Sequence, residues 1–400
     1  MRRALFWLHL AAGVIAGVVI ALLCFTGTAL AFEKQLVVWA ERDARRVTVP
    51  ADATRLPLAE LAQCVRLARP AAKPTALVVA ADPRAAVTFQ LGREGALYAN
   101  PYTGEIRTPA STRVHDTLHT LEEWHRWLAL GGEGRPVGKA ITGAANAAFL
   151  VLAVTGLYLW WPRSWSWRGL RAVSVLNLRL AGKARDWNWH NALGLWSAPF
   201  LIVLTLTALP ISYRWAHNLL YTTTGSEPPP QTAGPGAQPP GPAVASPAPG
   251  TQPLPLDALF AAVTTTQPDW SELTFRLAAP ERRAPAAAAR APFSDTTPRA
   301  DRSPTAQAAQ AVTVAMRRSG QFPRFAATTL HLDPFTGSVL RTDTFAALPT
   351  GRRLRSWSRF LHTGEALGWP GQLAAALASA AGLVLVWTGL ALAWRRFFRR

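Results

Sequence analysis

The stretch Ala4–Phe32, ALFWLHLAAGVIAGVVIALLCFTGTALAF, holds no Asp, Glu, Lys or Arg. A helix rises about 1.5 Å per residue, so roughly 20 apolar residues cross about 30 Å of hydrocarbon. Ala140–Pro162, Trp187–Tyr213 and Ala366–Trp394 are equally free of charge and also long enough. The sequence therefore predicts a membrane α-helical protein with four transmembrane helices, at residues 4–32, 139–162, 187–213 and 366–394. Composition agrees: of 400 residues 16% are charged and 50% hydrophobic, where about 25% charged is usual for a soluble domain. A single soluble domain is excluded, as are collagen-like and disulfide-scaffold classes. Arg2-Arg3, the apolar run and Ala29-Leu30-Ala31 imitate a secretory signal. A signal's apolar core spans only about 7–15 residues, however, so the first segment is expected to be a retained span.

Forty-two Lys and Arg against 23 Asp and Glu leave a net charge of +19, which taken alone would suit nucleic acid. Its distribution points to a lipid bilayer instead. Arg2 and Arg3, the 163–186 loop (Arg163, Arg168, Arg171, Arg179, Lys183, Arg185) and the tail (Arg395, Arg396, Arg399, Arg400) fall on one side of a four-span chain. Short basic segments remain cytoplasmic, whereas long loops cross regardless of charge. The expectation is a multi-pass protein of the bacterial inner membrane with both termini cytoplasmic and residues 33–139 and 214–365 outside. Trp160, Trp161, Trp165, Trp167, Trp187 and Trp189 crowd the cytoplasmic ends of spans two and three, as an interfacial aromatic belt does.

Internal matches organise the rest. Leu97-Tyr98-Ala99-Asn100-Pro101-Tyr102-Thr103-Gly104-Glu105-Ile106 reappears as Leu330-His331-Leu332-Asp333-Pro334-Phe335-Thr336-Gly337-Ser338-Val339, in each case a strand, an Asx-Pro turn and a second strand. Thr155-Gly156-Leu157 matches Thr388-Gly389-Leu390, and the spacing from His9 to Thr26 equals that from His190 to Thr207. Two copies of one unit are expected, each a span, a small α+β extracytoplasmic domain and a second span. The first domain covers 33–112, with a helix at Pro57–Ala68 and strands at Ala76–Ala80 and Val87–Leu91. A His-containing helix and turn, 113–138, leads to span two. The second domain covers 251–348, with a helix near Leu256–Val263 and strands near Leu273–Leu277 and Phe325–His331. It follows a Pro/Gly-rich linker at 225–250 and carries a disordered insertion at 280–310. Cys24 lies in a span and Cys64 in the first domain, so no disulfide is expected; no C-x-x-C-H haem attachment site occurs.

The histidines carry the chemical signal. His9 and His190 occupy matching places near the cytoplasmic ends of spans one and three, while His125 and His362 precede spans two and four. Topology sorts them into two layers, and 17 helical residues separate the layers by about 26 Å. Ionisable residues near spans default to functional hypotheses. Paired neutral imidazoles facing one another between helices are what six-coordinate haem requires. Zinc is the weaker alternative, because no carboxylate or thiol accompanies either pair. His115 and His119, spaced i, i+4, share a helix face and are read as surface residues, with His119 kept as a substitute ligand for His125. His217 and His331 are read as structural. No G-x-G-x-x-G follows a strand, so the chain has no nicotinamide or flavin module of its own.

Trp124-His125-Arg126-Trp127-Leu128, Gly156-Leu157-Tyr158-Leu159-Trp160-Trp161-Pro162-Arg163, Asn188-Trp189-His190-Asn191 and Leu361-His362-Thr363-Gly364 resemble PepSY-associated transmembrane proteins. The two Asx-Pro-aromatic-Thr-Gly hairpins resemble PepSY domain signatures. The likeness extends over nearly the whole chain apart from the two Pro/Ala-rich insertions. Members include iron-regulated inner-membrane proteins and ferric-siderophore reductases, which hold two non-covalent b haems through four membrane histidines. The resemblance implies haem-iron ligation at His9, His190, His125 and His362. With it the chain reads as an electron carrier to periplasmic ferric iron or a ferric-siderophore in iron uptake. Lacking a nicotinamide or flavin module, it would draw electrons from quinol or a cytoplasmic reductase, with loop 163–186 either a docking site for that reductase or a device that only sets topology. The enzymatic form would be a membrane ferric-siderophore reductase. The alternative is a non-enzymatic PepSY membrane protein acting as an envelope sensor, a peptidase-binding protein or an iron-uptake accessory.

Overall fold

A computed structural model describes residues 1–161, 166–229, 241–244, 248, 250–277 and 310–398. Helix α1 (Arg2–Leu30) is followed by short helices α2 (Glu33–Ala40) and α3 (Arg42–Arg45), then by α4 (Leu58–Ala68). Strands β1 (Ala76–Ala80), β2 (Val87–Gln90), β3 (Ala96–Ala99) and β4 (Ile106–Arg107) complete a first lobe. Helix α5 (Arg113–Trp127) turns into α6 (Arg135–Trp160), α7 (Trp167–Ser174) lies in the connection, and α8 (Gly182–Ser212) runs on into α9 (Arg214–Thr222). A second lobe holds α10 (Leu256–Thr266), β5 (Trp270–Arg276), β6 (Val312–Arg318), β7 (Thr328–Leu332) and β8 (Val339–Asp343). Helix α11 (Thr350–His362) leads into α12 (Trp369–Phe398).

Among the described residues, α1, α6, α8 and α12 are the helices long and apolar enough to cross a membrane. They close a ring in which α1 packs on α6 and α12, and α8 packs on the same two. Helices α1 and α8 thus lie on opposite corners. Ile15, Val18, Trp196, Phe200 and Leu377 point outward and stay exposed. Such large apolar groups would be a liability in water and are the natural surface toward lipid. The helices outrun the charge-free segments, because Lys183, Arg185, Arg395 and Arg396 ride on their ends, where long basic stems reach the interface. Arg2 donates to the carbonyls of Leu159 (2.6 Å) and Trp161 (2.7 Å), and Arg395 pairs with Asp186 at 2.9 Å. Both chain ends and the α6–α8 connection therefore share one end of the bundle, and the strands lie beyond the other.

The segments expected as two separate domains meet in a single eight-stranded antiparallel sheet, ordered β4-β3-β2-β1-β5-β6-β7-β8. The seam is β1 with β5, where Val78 faces Thr274 and Ala80 faces Glu272. Alternate side chains Leu77/Val79, Leu273/Phe275, Val314/Met316 and Leu330/Leu332 enter one core with Leu61 and Val65 of α4 and Leu259 and Val263 of α10, the period of two expected when one face of a sheet is buried. The carboxylate of Asp257, on α10, accepts from the backbone N–H of Leu58 (2.5 Å) and Ala59 (3.0 Å), so one lobe caps the other's helix. Strand β6 was not anticipated; it begins directly after the Ala-rich insertion, of which residues 280–309 lie outside the described residues. The linker is described only at 225–229, 241–244, 248 and 250.

Each lobe returns to the bundle through a tight turn. After α5, Leu128 and Ala129 both adopt left-handed φ of 55°, and a Cβ on Gly138 would stand 1.9 Å from the Trp127 carbonyl oxygen. After α11, Gly364 takes φ +75°, and a Cβ there would meet the Gly371 carbonyl oxygen at 2.7 Å. These backbone contacts fix where α5 and α11 end over the bundle.

Candidate functional site

At the end of the bundle that holds the termini, His9 of α1 and His190 of α8 face each other across the ring, with centroids 6.3 Å apart. The two flanking spans orient them. His9 Nδ1 lies 2.9 Å from Thr155 Oγ1 on α6, and His190 Nδ1 lies 3.0 Å from Thr388 Oγ1 on α12. Each threonine hydroxyl donates its own proton to the carbonyl four residues back, Val151 at 2.7 Å and Val384 at 2.8 Å. The hydroxyl oxygen then accepts from the imidazole, which assigns the ring proton to Nδ1 and leaves Nε2 unprotonated with a free lone pair.

At the sheet-side end, His125 of α5 and His362 of α11 have centroids 6.2 Å apart. His125 Nδ1 lies 2.8 Å from Thr26 Oγ1, whose proton goes to the Leu22 carbonyl at 2.7 Å. His362 Nδ1 donates to the Leu204 carbonyl at 2.9 Å. All four rings therefore carry the same tautomer. Burial pushes the His125 imidazole down to about 3, with the neighbouring His362 as the next cause, and burial likewise lowers His362. Both remain neutral and ligand-competent at ordinary pH.

Small residues cradle the rings. A Cβ on Gly156 would meet His9 Cε1 at 3.2 Å, one on Gly389 would meet His190 Cε1 at 3.3 Å, and one on Gly27 would meet His125 Cε1 at 3.4 Å. The Thr-Gly dipeptide thus serves three histidines in one way: the hydroxyl orients the ring and the missing side chain makes room for it. The fourth departs from the pattern, for Thr207-Ala208 stands where span three was expected to mirror Thr26-Gly27. The Thr207 hydroxyl donates to the Val203 carbonyl of its own helix at 2.6 Å, and His362 takes a backbone carbonyl instead.

A cavity of about 530 Å³ opens beside the first pair, reaching from Phe6 past His9 and His190 to Ile20 and Phe149. Gly13 and Gly194, each one turn beyond a histidine, line it. With a metal–imidazole bond of about 2.0–2.1 Å and roughly 1.2 Å more from nitrogen to ring centre, two axial imidazole centroids stand about 6.4 Å apart. Both pairs match that separation, and the cavity falls within the usual range of about 300–1,000 Å³ for cofactor sites. The donor set, spacing and apolar cradle are those that a six-coordinate haem iron requires. Among the described residues no third His, Cys, Asp or Glu joins either pair, so a tetrahedral zinc ion lacks its ligands.

The other histidines lie apart. His119 is exposed on α5, and exposed His115 sits 3.7 Å from Asp116, so it is His125 that meets His362. His217 Nδ1 accepts from Arg355 Nε at 3.3 Å. Buried His331 contacts Asp343 at 3.1 Å. Asn188 went unnoticed as a functional position: its side chain donates to the Ala172 and Val175 carbonyls and accepts from the Asn177 N–H, pinning the α7 connection to α8 two residues before His190. The polar cluster Asn188-Trp189-His190-Asn191 inside an apolar helix was the available signal.

No individually curated protein matches the chain. The model of the PepSY-associated TM region matches residues 6–396, from the start of α1 to the end of α12. This multi-pass membrane protein, with its four-helix bundle and paired histidines, belongs to the PepSY-associated TM family.

Proposed function

We propose that the chain is a di-haem transmembrane electron carrier that reduces an extracytoplasmic acceptor, ferric iron or a ferric-siderophore, in iron uptake. The observation that carries it is the set of four imidazoles, each anchored through Nδ1, in two pairs with centroids 6.3 and 6.2 Å apart. His9 with His190, and His125 with His362, hold one b-type haem each. A bound haem supplies reversible one-electron chemistry at its iron. The chain's own contributions are different: threonine hydroxyls and the Leu204 carbonyl fix ring orientation, the glycines clear space, and Ile20, Phe149 and Leu201 exclude water. The 17 residues from His9 to Thr26, the partner of His125, hold the layers about 26 Å apart along α1. Both termini face the cytoplasm of a bacterial inner membrane, in keeping with the basic residues gathered at that end. Electrons enter there from quinol or a cytoplasmic reductase at the basic 163–186 loop. The chain is further read as two copies of a span–PepSY domain–span unit, supported by the mirrored strand order about the β1–β5 seam and the paired Thr-Gly-Leu segments.

Absorbance of the purified chain tests the assignment. It is expected to show a reducible bis-imidazole haem spectrum with about two haems per chain. His9→Ala and His190→Ala each lose the same haem, and the double variant is no worse than either. One substitution from each layer removes both haems. Retention of one full haem by the His9→Ala/His125→Ala variant refutes the pairing, and retention of two haems by all four single variants refutes ligation.

A further inference from the structure

The cavity beside His9 and His190 is apolar along most of its wall and carries two charged side chains, Lys183 of α8 and Arg396 of α12. Both stand at its mouth, at the end of the bundle that holds the termini, on helices that meet there. Their sequence neighbours Arg185 and Arg395 do not line the cavity, and one acid accounts for both. Asp186 is fully buried. Its Oδ1 accepts from Arg185 at 3.1 and 2.9 Å, and its Oδ2 lies 2.9 Å from Arg395. Arg185 and Arg395 are therefore committed to a carboxylate. Lys183 has no hydrogen-bond or ion-pair partner among the described residues. Arg396 stacks its guanidinium 4.9 Å from the Phe6 ring and 5.2 Å from that of Trp7. Stacking uses the face of the guanidinium and leaves its N–H fork for an anion.

A cavity with an apolar body and two uncommitted cations on its rim fits a flat apolar molecule that carries two carboxylates along one edge. We propose that Lys183 and Arg396 bind the two carboxylates of the haem held by His9 and His190, setting which edge of the macrocycle faces the end of the bundle that holds the termini. The inference rests on the haem reading above and adds an orientation and a carboxylate subsite to it. Topology alone does not account for these two positions. Arg168, Arg171 and Arg179 supply basic charge at the same end without lining this cavity; they border a neighbouring groove, which Lys183 and Trp187 share with it.

The test follows haem transfer from the full-length detergent-solubilised chain to excess apomyoglobin, by absorbance, for the component that His190→Ala abolishes. The Lys183→Gln/Arg396→Gln variant is expected to release that haem about 10–100-fold faster, each charged contact contributing roughly tenfold. Arg168→Gln and Arg179→Gln release it at the unaltered rate. An arm without substitution loads the unaltered chain with protohaem or its dimethyl ester. The ester is expected to leave faster by the same factor, and the double variant no longer distinguishes the two. The midpoint potential of this haem falls in the double variant, since removing nearby cations disfavours the reduced, more negative state. Equal release of acid and ester from the unaltered chain overturns the proposal, whether or not the double variant folds. If no component depends on His9 and His190, the haem reading itself is what fails.

Discussion

A neutral imidazole keeps one orientation when a partner holds one of its nitrogens, and here threonine does so three times out of four. The hydroxyls of Thr26, Thr155 and Thr388 spend their protons on their own helices and offer a lone pair to the imidazole. Thr26→Val is therefore expected to loosen His125 and, for the haem proposed between His125 and His362, to weaken retention by about 10–100-fold. Thr207→Val changes nothing measurable, because that hydroxyl serves only its own helix. Haem release kinetics of the two variants, compared at equal expression, make the check. The same threonines were legible in the sequence as repeat markers, through the His9–Thr26 spacing and the paired Thr-Gly-Leu segments. Their contact with the histidines was not legible, because it crosses between helices that are adjacent only in the folded ring. The different partner of His362 was out of reach for the same reason: the shared His9–Thr26 and His190–Thr207 spacing says nothing of which acceptor a ring on another helix will choose.

At the scale of elements, the two sheet-side histidines depend on how helices are joined. His125 lies two residues from the end of α5, and that end is pressed against α6 where Gly138 meets Trp127. Gly138→Ala is expected to cost about 1–3 kcal/mol or more through overpacking against backbone and to displace His125 while His9 and His190 stay in register. Thermal unfolding in detergent and selective loss of the haem proposed between His125 and His362 are the two readouts. Charge-free length predicted the four spans closely, since crossing hydrocarbon leaves little latitude. Strand ends were also legible where a short apolar run is bounded by turn residues, as in Ala76–Ala80. Strand β6 was missed because the inward positions Val314 and Met316 follow a run of alanines that carries no period. The seam between the lobes was beyond reach as well: antiparallel partners distant in sequence leave no local mark on either strand.

For the molecule as a whole, that seam makes one body of two lobes. The Asp257 carboxylate on the first turn of α4 is a helix cap lent across the seam. Asp257→Ala is expected to lower stability by about 1 kcal/mol and to speed amide exchange at Leu58 and Ala59, in the other lobe, ahead of α10. Exchange confined to α10 would mean that the lobes open independently. The paired arrangement also ties the ring of spans together, since α1 and α12 meet beneath the sheet, where Gln372 donates to the Ala31 carbonyl at 2.8 Å and Lys34 pairs with Glu365.

The β1–β5 pairing also sets a timetable for biogenesis. Val78 finds its partner in Thr274, and the intervening chain of roughly 200 residues takes about 10–40 s to synthesise at 5–20 residues per second. During that interval two further spans must enter the bilayer while a nascent strand presents an open edge of backbone donors and acceptors. The newborn first lobe is thus a waiting template, complete in its own hairpins and unsealed along the one border that only the last third of the chain can close.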